Sequence, residues 1–515
     1  MDRLTIYFTS DTHGYLFPTN FADEVPRPMG LFSMDFPKDG NTLVIDGGDS
    51  LQGSPLTYFC RQAGRPMPVA RAMNELSYDY VTLGNHDFNY GYTVMRDHLR
   101  ALSARCLCAN LTDLGGELEY ADTAVRVMEN GLRVGLVGIV TGWVGVWEKP
   151  ENMAKLCVGD PFAAAKKACE KLREKVDVLI GIYHGGLEKD VATGKRLSDN
   201  DENIACRLCE ELDFDLLLTG HQHVPMANIN YPGSRAEQVN IPSACPRQAN
   251  PTHIVQTPCN ATRYVKVTLG EDGKFSSALV TPAVPATRKP WQRRLFSDLN
   301  AWLDRPIGHL SRALRPGEKL EMALFGTPIA DFYNMVQIAA SGADVSCTSL
   351  GNELRGFSQK DVTVRDVVAS YTYSNTLVVL EVTGAVIRQA LEQCARYFDA
   401  SGGAVRIAES FLRPKEAHYN YDYFYGIAYE FDLRNPAGSR VTRLEKDGRA
   451  LSDGDRLTLV MNNYRATGAG DFDFYKGIPR LREIQTEVSE LILNYLSERD
   501  AAEIPDARPY RTILP

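Results

Sequence analysis

Six short runs rich in Val, Ile and Leu, at 4–9, 42–45, 80–83, 134–140, 176–183 and 214–219, pace the first half of the chain, and each gives way to a polar turn and then a stretch of helical character. Apolar runs of this length, too short for helices and bounded by turn residues, read as strands buried on both faces. Buried strands alternating with helices imply an α/β architecture, in which groups at the C-terminal ends of parallel strands gather along one edge of a sheet. Chemistry is therefore expected at that edge.

Five of the six runs end in groups that could bind a metal: Asp11-Thr12-His13, Gly48-Asp49, Gly84-Asn85-His86-Asp87, His184-Gly185-Gly186 and Gly220-His221-Gln222-His223. The chain has 9 histidines, and five of them fall inside these motifs. A single Asp or His at a strand end is more often a cap or a satisfied polar group. Five together, mixing imidazole and carboxylate, form a ligand set suited to Zn, Mn, Fe or Co and are numerous enough for two ions. Asp49, in the middle of the set, is the best candidate to bridge them. The neighbouring glycines permit tight turns that bring backbone close to a ligand. By contrast, Cys206 and Cys209 form a CxxC pair on an expected helix at 202–212 with no second pair to complete a zinc site, so they read as structural.

At 515 residues the chain exceeds the size at which one core keeps growing, and two domains are expected. A Pro- and Ala-rich stretch at 282–290 and a helical pattern at 291–303 place the connection. The expected division is a domain at 1–285, a linker helix at 286–304 and a second domain at 305–515 with strands near 376–382, 426–433 and 456–460 and a helix over 384–397. The net charge of -9 argues against a nucleic-acid polymer as partner, since such proteins carry basic stripes. No run of about 18 apolar residues is present, so no membrane-spanning helix is read. Eleven scattered cysteines and an N-terminus without an apolar leader point to a cytoplasmic protein, or to a secreted one whose signal has been removed.

The five motifs, in this order and at comparable spacing, resemble those of the calcineurin-like metallophosphoesterases: D-x-H, G-D, G-N-H-[DE], H and G-H-x-H. The resemblance implies a four-layer αββα domain with two divalent metals (Mn, Zn, Fe or Co), one held by Asp11, His13, Asp49 and His223 and the other by Asp49, Asn85, His184 and His221. Such a pair activates a water for in-line attack on phosphorus. His86, beside a metal ligand, is then the proton donor to the leaving oxygen, with Asp87 orienting its imidazole. The alternative is that His86 only supports the site.

Nearly the whole length is similar to the 5'-nucleotidase family, in which this domain is joined through a helix to an α+β C-terminal nucleotidase domain. The pieces that match are Leu350-Gly351-Asn352-Glu353-Leu354-Arg355, Tyr371-Thr372-Tyr373-Ser374-Asn375-Thr376, Asn462-Asn463-Tyr464-Arg465-Ala466 and Gly468-Ala469-Gly470-Asp471-Phe472. They imply that Arg355 contacts phosphate or ribose, that Tyr373 and Tyr464 sandwich a base, with Phe424 in reserve, and that Asp471 adds a polar contact. The Asn462 motif and Tyr419-Asn420-Tyr421-Asp422 resemble the bifunctional 2',3'-cyclic-nucleotide 2'-phosphodiesterase/3'-nucleotidases more than strict 5'-nucleotidases. Replacement of two family glycines in the 350–355 loop, with Glu353 gained, departs from the pattern. The expected activity is metal-dependent hydrolysis of nucleotide phosphoesters by a monomer or weak dimer. The alternatives are another two-metal phosphoesterase, a sulfur-ester hydrolase on the same scaffold, and a nucleotide-binding protein without catalysis.

Overall fold

The computed structural model describes residues 3–18, 29–189, 201–231, 251–283, 288–357, 359–373, 375–401, 403–413, 416–484, 486–505 and 510–515. Ser374 and residues 286–287 of the expected linker lie outside this set. The chain divides into two compact units, Met1–Gln292 and Arg293–Pro515. The helix Pro290–Leu303 begins in the first and continues into the second.

In the first unit all six apolar runs are strands. Leu4–Thr9, Thr42–Asp46, Tyr80–Val81 and Arg105–Cys106 pair in parallel in one six-stranded sheet, extended by the antiparallel strands Tyr264–Leu269 and Phe275–Val280. Leu216–Thr219, Val178–His184 and Arg133–Val140 are the parallel centre of a second six-stranded sheet. Alternate residues of both sheets, among them Ile6, Phe8, Ile45, Leu136, Ile180 and Leu218, meet in one shared core. The opposite face of the second sheet packs Val137, Leu179 and Leu217 against Ala165 and Leu172 of the helix Pro161–Leu172 and Leu208 of the helix Ala205–Glu211. The result is the layered αββα arrangement. Because neighbouring strands run parallel, their C-terminal ends, and the motifs that follow them, lie along one edge.

Cys206 and Cys209 are buried on the helix Ala205–Glu211, and burial pushes the Cys206 thiol up to about 12. That is the environment of an inert core thiol. Among the described residues, no helix is long and apolar enough to cross a membrane.

The second unit is α+β. Its five-stranded sheet runs Asp422–Tyr425, Val345–Ser349, Arg456–Asn462, Leu377–Thr383 and Arg480–Ile484, and a four-stranded sheet holds Ala428–Asp432 and Val441–Lys446. The helix Gly384–Ala395 starts on a Thr383 cap, whose side chain accepts from Val386 N, and buries Ile387, Ala390 and Leu391. Its core is separate from those of the first unit.

Candidate metal centre and active site

The turns after the strands are built from conformations that side-chain-bearing residues rarely adopt. Asp11, His13, Asp49, His221 and His223 all have positive φ, between 49° and 70°. Each such residue costs roughly 1 kcal/mol or more, and strain of this kind gathers where surroundings over-determine it. Gly48, at φ 95°, lies so close to the 83–84 backbone that an added Cβ would fall 2.3 Å from Gly84 N. A Cβ at Gly84 would in turn fall 2.2 Å from Asp49 Oδ1, so both glycines are needed to press the two motifs together.

Ligand atoms of five of the seven candidates converge, His221 and Asn85 standing outside both groups. One atom from each of Asp11, His13 and His223 lies within 4.8 Å of the others, and the same holds for Asp11, Asp49 and His184. His13 and His184 are each aimed by a bond from the ring nitrogen that faces away from the cluster. His13 Nδ1 lies 2.8 Å from Gln52 O and His184 Nδ1 lies 2.8 Å from Gly47 O; a carbonyl only accepts, so in both rings Nδ1 carries the proton. This leaves His13 Nε2 facing His223 Nε2 at 3.2 Å and His184 Nε2 facing Asp49 Oδ2 at 3.2 Å. His221 Nδ1 lies 2.9 Å from Asn85 Oδ1, while its Nε2 meets the Glu202 carboxylate at 2.8 Å. Carboxylates behind metal-binding imidazoles orient them in this way. Trp147 stacks on the His221 ring, with centroids 5.5 Å apart.

The electrostatics fit a cation. Asp49 is 1% exposed, and its Oδ2 and His184 Nε2 are buried atoms that make no hydrogen bond among the described residues. Burial alone would raise the Asp49 carboxyl, but His184, His86 and His13 hold it well below its ordinary value. Burial alone would lower His184, but the Asp49 carboxylate holds it up at about 10. Asp49 Oδ2 and His184 Nε2, buried 3.2 Å apart with no hydrogen bond among the described residues, are donor atoms that a divalent cation would satisfy. The donor set of imidazoles, carboxylates and one amide oxygen suits the transition metals expected from sequence.

His86 lies at the edge of this cluster. Its backbone N–H donates to Asp49 Oδ1 at 2.6 Å, and its ring meets that of His13 edge-on at 5.2 Å. The expectation that Asp87 orients it is not met. The Asp87 carboxylate is buried and turned into the neighbouring loop, accepting from the backbone N–H groups of Gly84, Asp49, Ser50 and Leu51 at 2.8–2.9 Å. Four donors saturate it, so it fastens the 49–51 turn rather than an imidazole. Asn89 takes the expected place, with Oδ1 2.7 Å from His86 Nδ1. A second buried carboxylate, Asp46, accepts from Thr9 Oγ1 and Gly48 N, and burial pushes it up to about 8. Sequence reasoning singled out none of Asn89, Glu202 or Trp147. A dyad partner three residues after His86 was within reach of a local search, but Glu202 and Trp147 carry no signal without the fold.

In the second unit the candidate recognition residues are half-buried or exposed. Tyr373 is 43% exposed and lies beside Gly351, where an added Cβ would touch its ring at 3.5 Å. Tyr464 is half-buried on the short helix Asn463–Ala466. Asp471 is exposed with φ 66° and lines a cavity of about 520 Å³ with Gln389, Gln393, Arg396 and Phe474. Arg355, Tyr373 and Tyr464 do not line that cavity. Arg355 follows in the 350–355 loop, half-buried. Phe424 does not serve as a reserve stacking ring: it is 7% exposed, paired in register with Cys347 and packed edge-on against Tyr429. What is rigidly built here is the buried pair of Arg465 and Asp422, joined by two bonds of 2.8 and 3.1 Å, with the guanidinium over the Phe472 ring at 4.1 Å.

With this geometry in hand, comparison with known proteins is consistent. Residues 4–225 match the calcineurin-like phosphoesterase family, and residues 306–477 match the 5'-nucleotidase C-terminal domain. A Staphylococcus aureus protein described as a putative 5'-nucleotidase, solved in complex with alpha-ketoglutarate, superposes with a TM-score of 0.87 at 30% identity over 99% of both chains. The Haemophilus influenzae 2',3'-cyclic-nucleotide 2'-phosphodiesterase/3'-nucleotidase is 24% identical over 98% of this chain and 86% of its own. The Bacillus subtilis trifunctional nucleotide phosphoesterase YfkN is 23% identical over 96% of this chain, which spans only 38% of that protein's length. The chain belongs to the 5'-nucleotidase family of calcineurin-like phosphoesterases, hydrolases of phosphoester bonds.

Proposed function

We propose that this protein hydrolyses nucleotide phosphoesters, whether 5'-monoesters, 3'-monoesters or 2',3'-cyclic diesters, with two divalent cations held by Asp11, His13, Asp49, Asn85, His184, His221 and His223. The observation that supports the reading is the convergence of Asp11, His13, Asp49, His184 and His223, with the buried atoms Asp49 Oδ2 and His184 Nε2 making no hydrogen bond among the described residues. Cations so held lower the pKa of water and neutralise charge gathering on the phosphoryl oxygens. Asp49 is central enough to serve both ions. His86 gives a proton to the departing oxygen as the phosphorus–oxygen bond breaks, a service worth about 10² to 10⁴ in rate. Arg355 offers the planar fork suited to phosphate, and Tyr373 and Tyr464 offer flat faces for a base.

The test is phosphate release by Mn- or Zn-loaded protein from a panel of the three nucleotide types, with metal content measured alongside. Turnover of at least one type, and about two ions per chain, is expected. Cleavage of bis(p-nitrophenyl) phosphate with no turnover of any nucleotide would remove the nucleotide from the reading, and absence of metal after loading would favour a non-catalytic binding protein.

A further inference from the structure

Of the six strand ends, the one after Arg133–Val140 carries no candidate ligand, and its continuation runs behind the site instead. Within that continuation, Glu148 Oε2 accepts from Asn89 Nδ2 at 2.6 Å, and Glu148 Oε1 accepts from Lys149 N at 2.7 Å and Asn152 Nδ2 at 2.8 Å. Asn152 Nδ2 also reaches Asn89 O at 3.1 Å, so the amide of Asn89 is tied at both its backbone and its side chain. The other end of that amide is Oδ1, 2.7 Å from His86 Nδ1.

Donor and acceptor accounting fixes the direction of this chain. A carboxylate can only accept, so the NH₂ of Asn89 must face Glu148 and its oxygen must face His86. That oxygen can only accept, so His86 must carry a proton on Nδ1 whether its ring is neutral or charged. Any proton the ring gives or takes is then the one on Nε2. Without Glu148 the amide could rotate by half a turn and present its NH₂ to Nδ1, which favours the opposite tautomer.

We propose that Glu148 is a positioning residue for His86, acting through the amide of Asn89 to select the tautomer whose Nε2 exchanges the proton. The proposal rests on the reading that His86 serves the leaving oxygen. It places Glu148 and Asn89 where the sequence suggested Asp87.

The experiment compares phenyl phosphate, whose leaving oxygen needs a proton, with p-nitrophenyl phosphate, whose leaving oxygen does not. Glu148→Leu is expected to lower kcat for phenyl phosphate on the order of 10- to 100-fold, the usual worth of a group that orients a functional imidazole. It should leave p-nitrophenyl phosphate within about threefold, since no proton transfer is at stake. In a His86→Ala background the same change should do nothing further, because it acts only through that ring. Asn89→Leu should reproduce the split, which keeps the idea testable if Glu148→Leu fails to fold. Equal losses on both esters, or an additive loss in the His86→Ala background, would overturn the proposal. Nucleotide turnover is not needed for either arm, so a wild type that cleaves aryl esters but no nucleotide defeats the substrate assignment alone; one that cleaves no ester defeats both.

Discussion

The candidate ligands of the first unit hold one another in place, whereas the candidate recognition residues of the second are more open to solvent. Asp49 touches the backbone of His86 and the ring of His184, Asp11 accepts from His221 N, and Asn85 meets the His221 ring. Removing any one of these disturbs the others. Tyr373 is exposed, Asp471 opens on a cavity of different residues, and the rigid element nearby is the Arg465–Asp422 pair, which is wholly buried. On the proposed function, chemistry that must be aligned to fractions of an ångström would be built into turns of the sheets, and recognition of a flat, variable ligand would fall to more exposed side chains.

The largest expected effect tests the first half of that contrast. Asp49→Asn should lower metal content and depress kcat by several orders of magnitude, since the ions and the imidazoles around them depend on that carboxylate. Steady-state kinetics with metal analysis checks it, and a variant with normal metal content and rate would show the cluster to be less interdependent than its contacts suggest.

The next effect falls on the second unit and on stability. Arg465→Ala leaves the Asp422 carboxylate buried without its partner, which should cost about 3 to 5 kcal/mol in urea denaturation. Pairing Arg465→Met with Asp422→Leu should recover most of the loss if the pair only braces the loops. Failure to recover it would mean that the pair also specifies their arrangement.

A buried histidine outside the motifs sharpens the contrast within the first unit. His98 lies inside the helix Gly91–Ala101, and burial alone pushes it down to about 4. The unfolded chain would bind a proton there from about pH 6.5 downward. Stability from this residue is therefore present above pH 6.5 and lost as pH falls toward 4, by about 3 kcal/mol. His98→Gln should flatten the fall in Tm across that window; an unchanged slope would assign it to other groups.

The smallest effect concerns the tyrosines. Tyr373→Ala or Tyr464→Ala should cost about 1 to 3 kcal/mol of nucleotide binding, seen mainly in KM, and Tyr→Phe at either position should be nearly silent. Hydrolysis of an aryl phosphate should barely respond. Equal damage to both substrates would mark the ring as packing.

The legibility of the site in the sequence follows the same line. Asp11, His13, Asp49, Asn85, His184, His221 and His223 could be singled out because each lies in a short motif that follows a strand and contains or adjoins a glycine, and strand ends are set by local apolar pattern. Asp87 was misassigned because adjacency to His86 says nothing about direction: in the tight turn Asn85–Asp87 consecutive side chains diverge, and the carboxylate turned to the loop with unsatisfied N–H groups. Glu148 meets Asn89 across 59 residues of chain, a pairing created only by the packing of the strands between them. Phe424 was misjudged because an aromatic ring in a strand gives no sign of which face it occupies until its partner, here Cys347, is known.

The positive φ angles of Asp11, His13, Asp49, His221 and His223 have a practical consequence for anyone engineering this chain. Glycine would relax all five positions, so a selection for thermal tolerance alone, carried out without metal, would tend to enrich glycine there. Such a campaign would drift toward a hardier and inert scaffold. Conversely, these five are the substitutions to withhold from a library when both heat resistance and turnover are wanted.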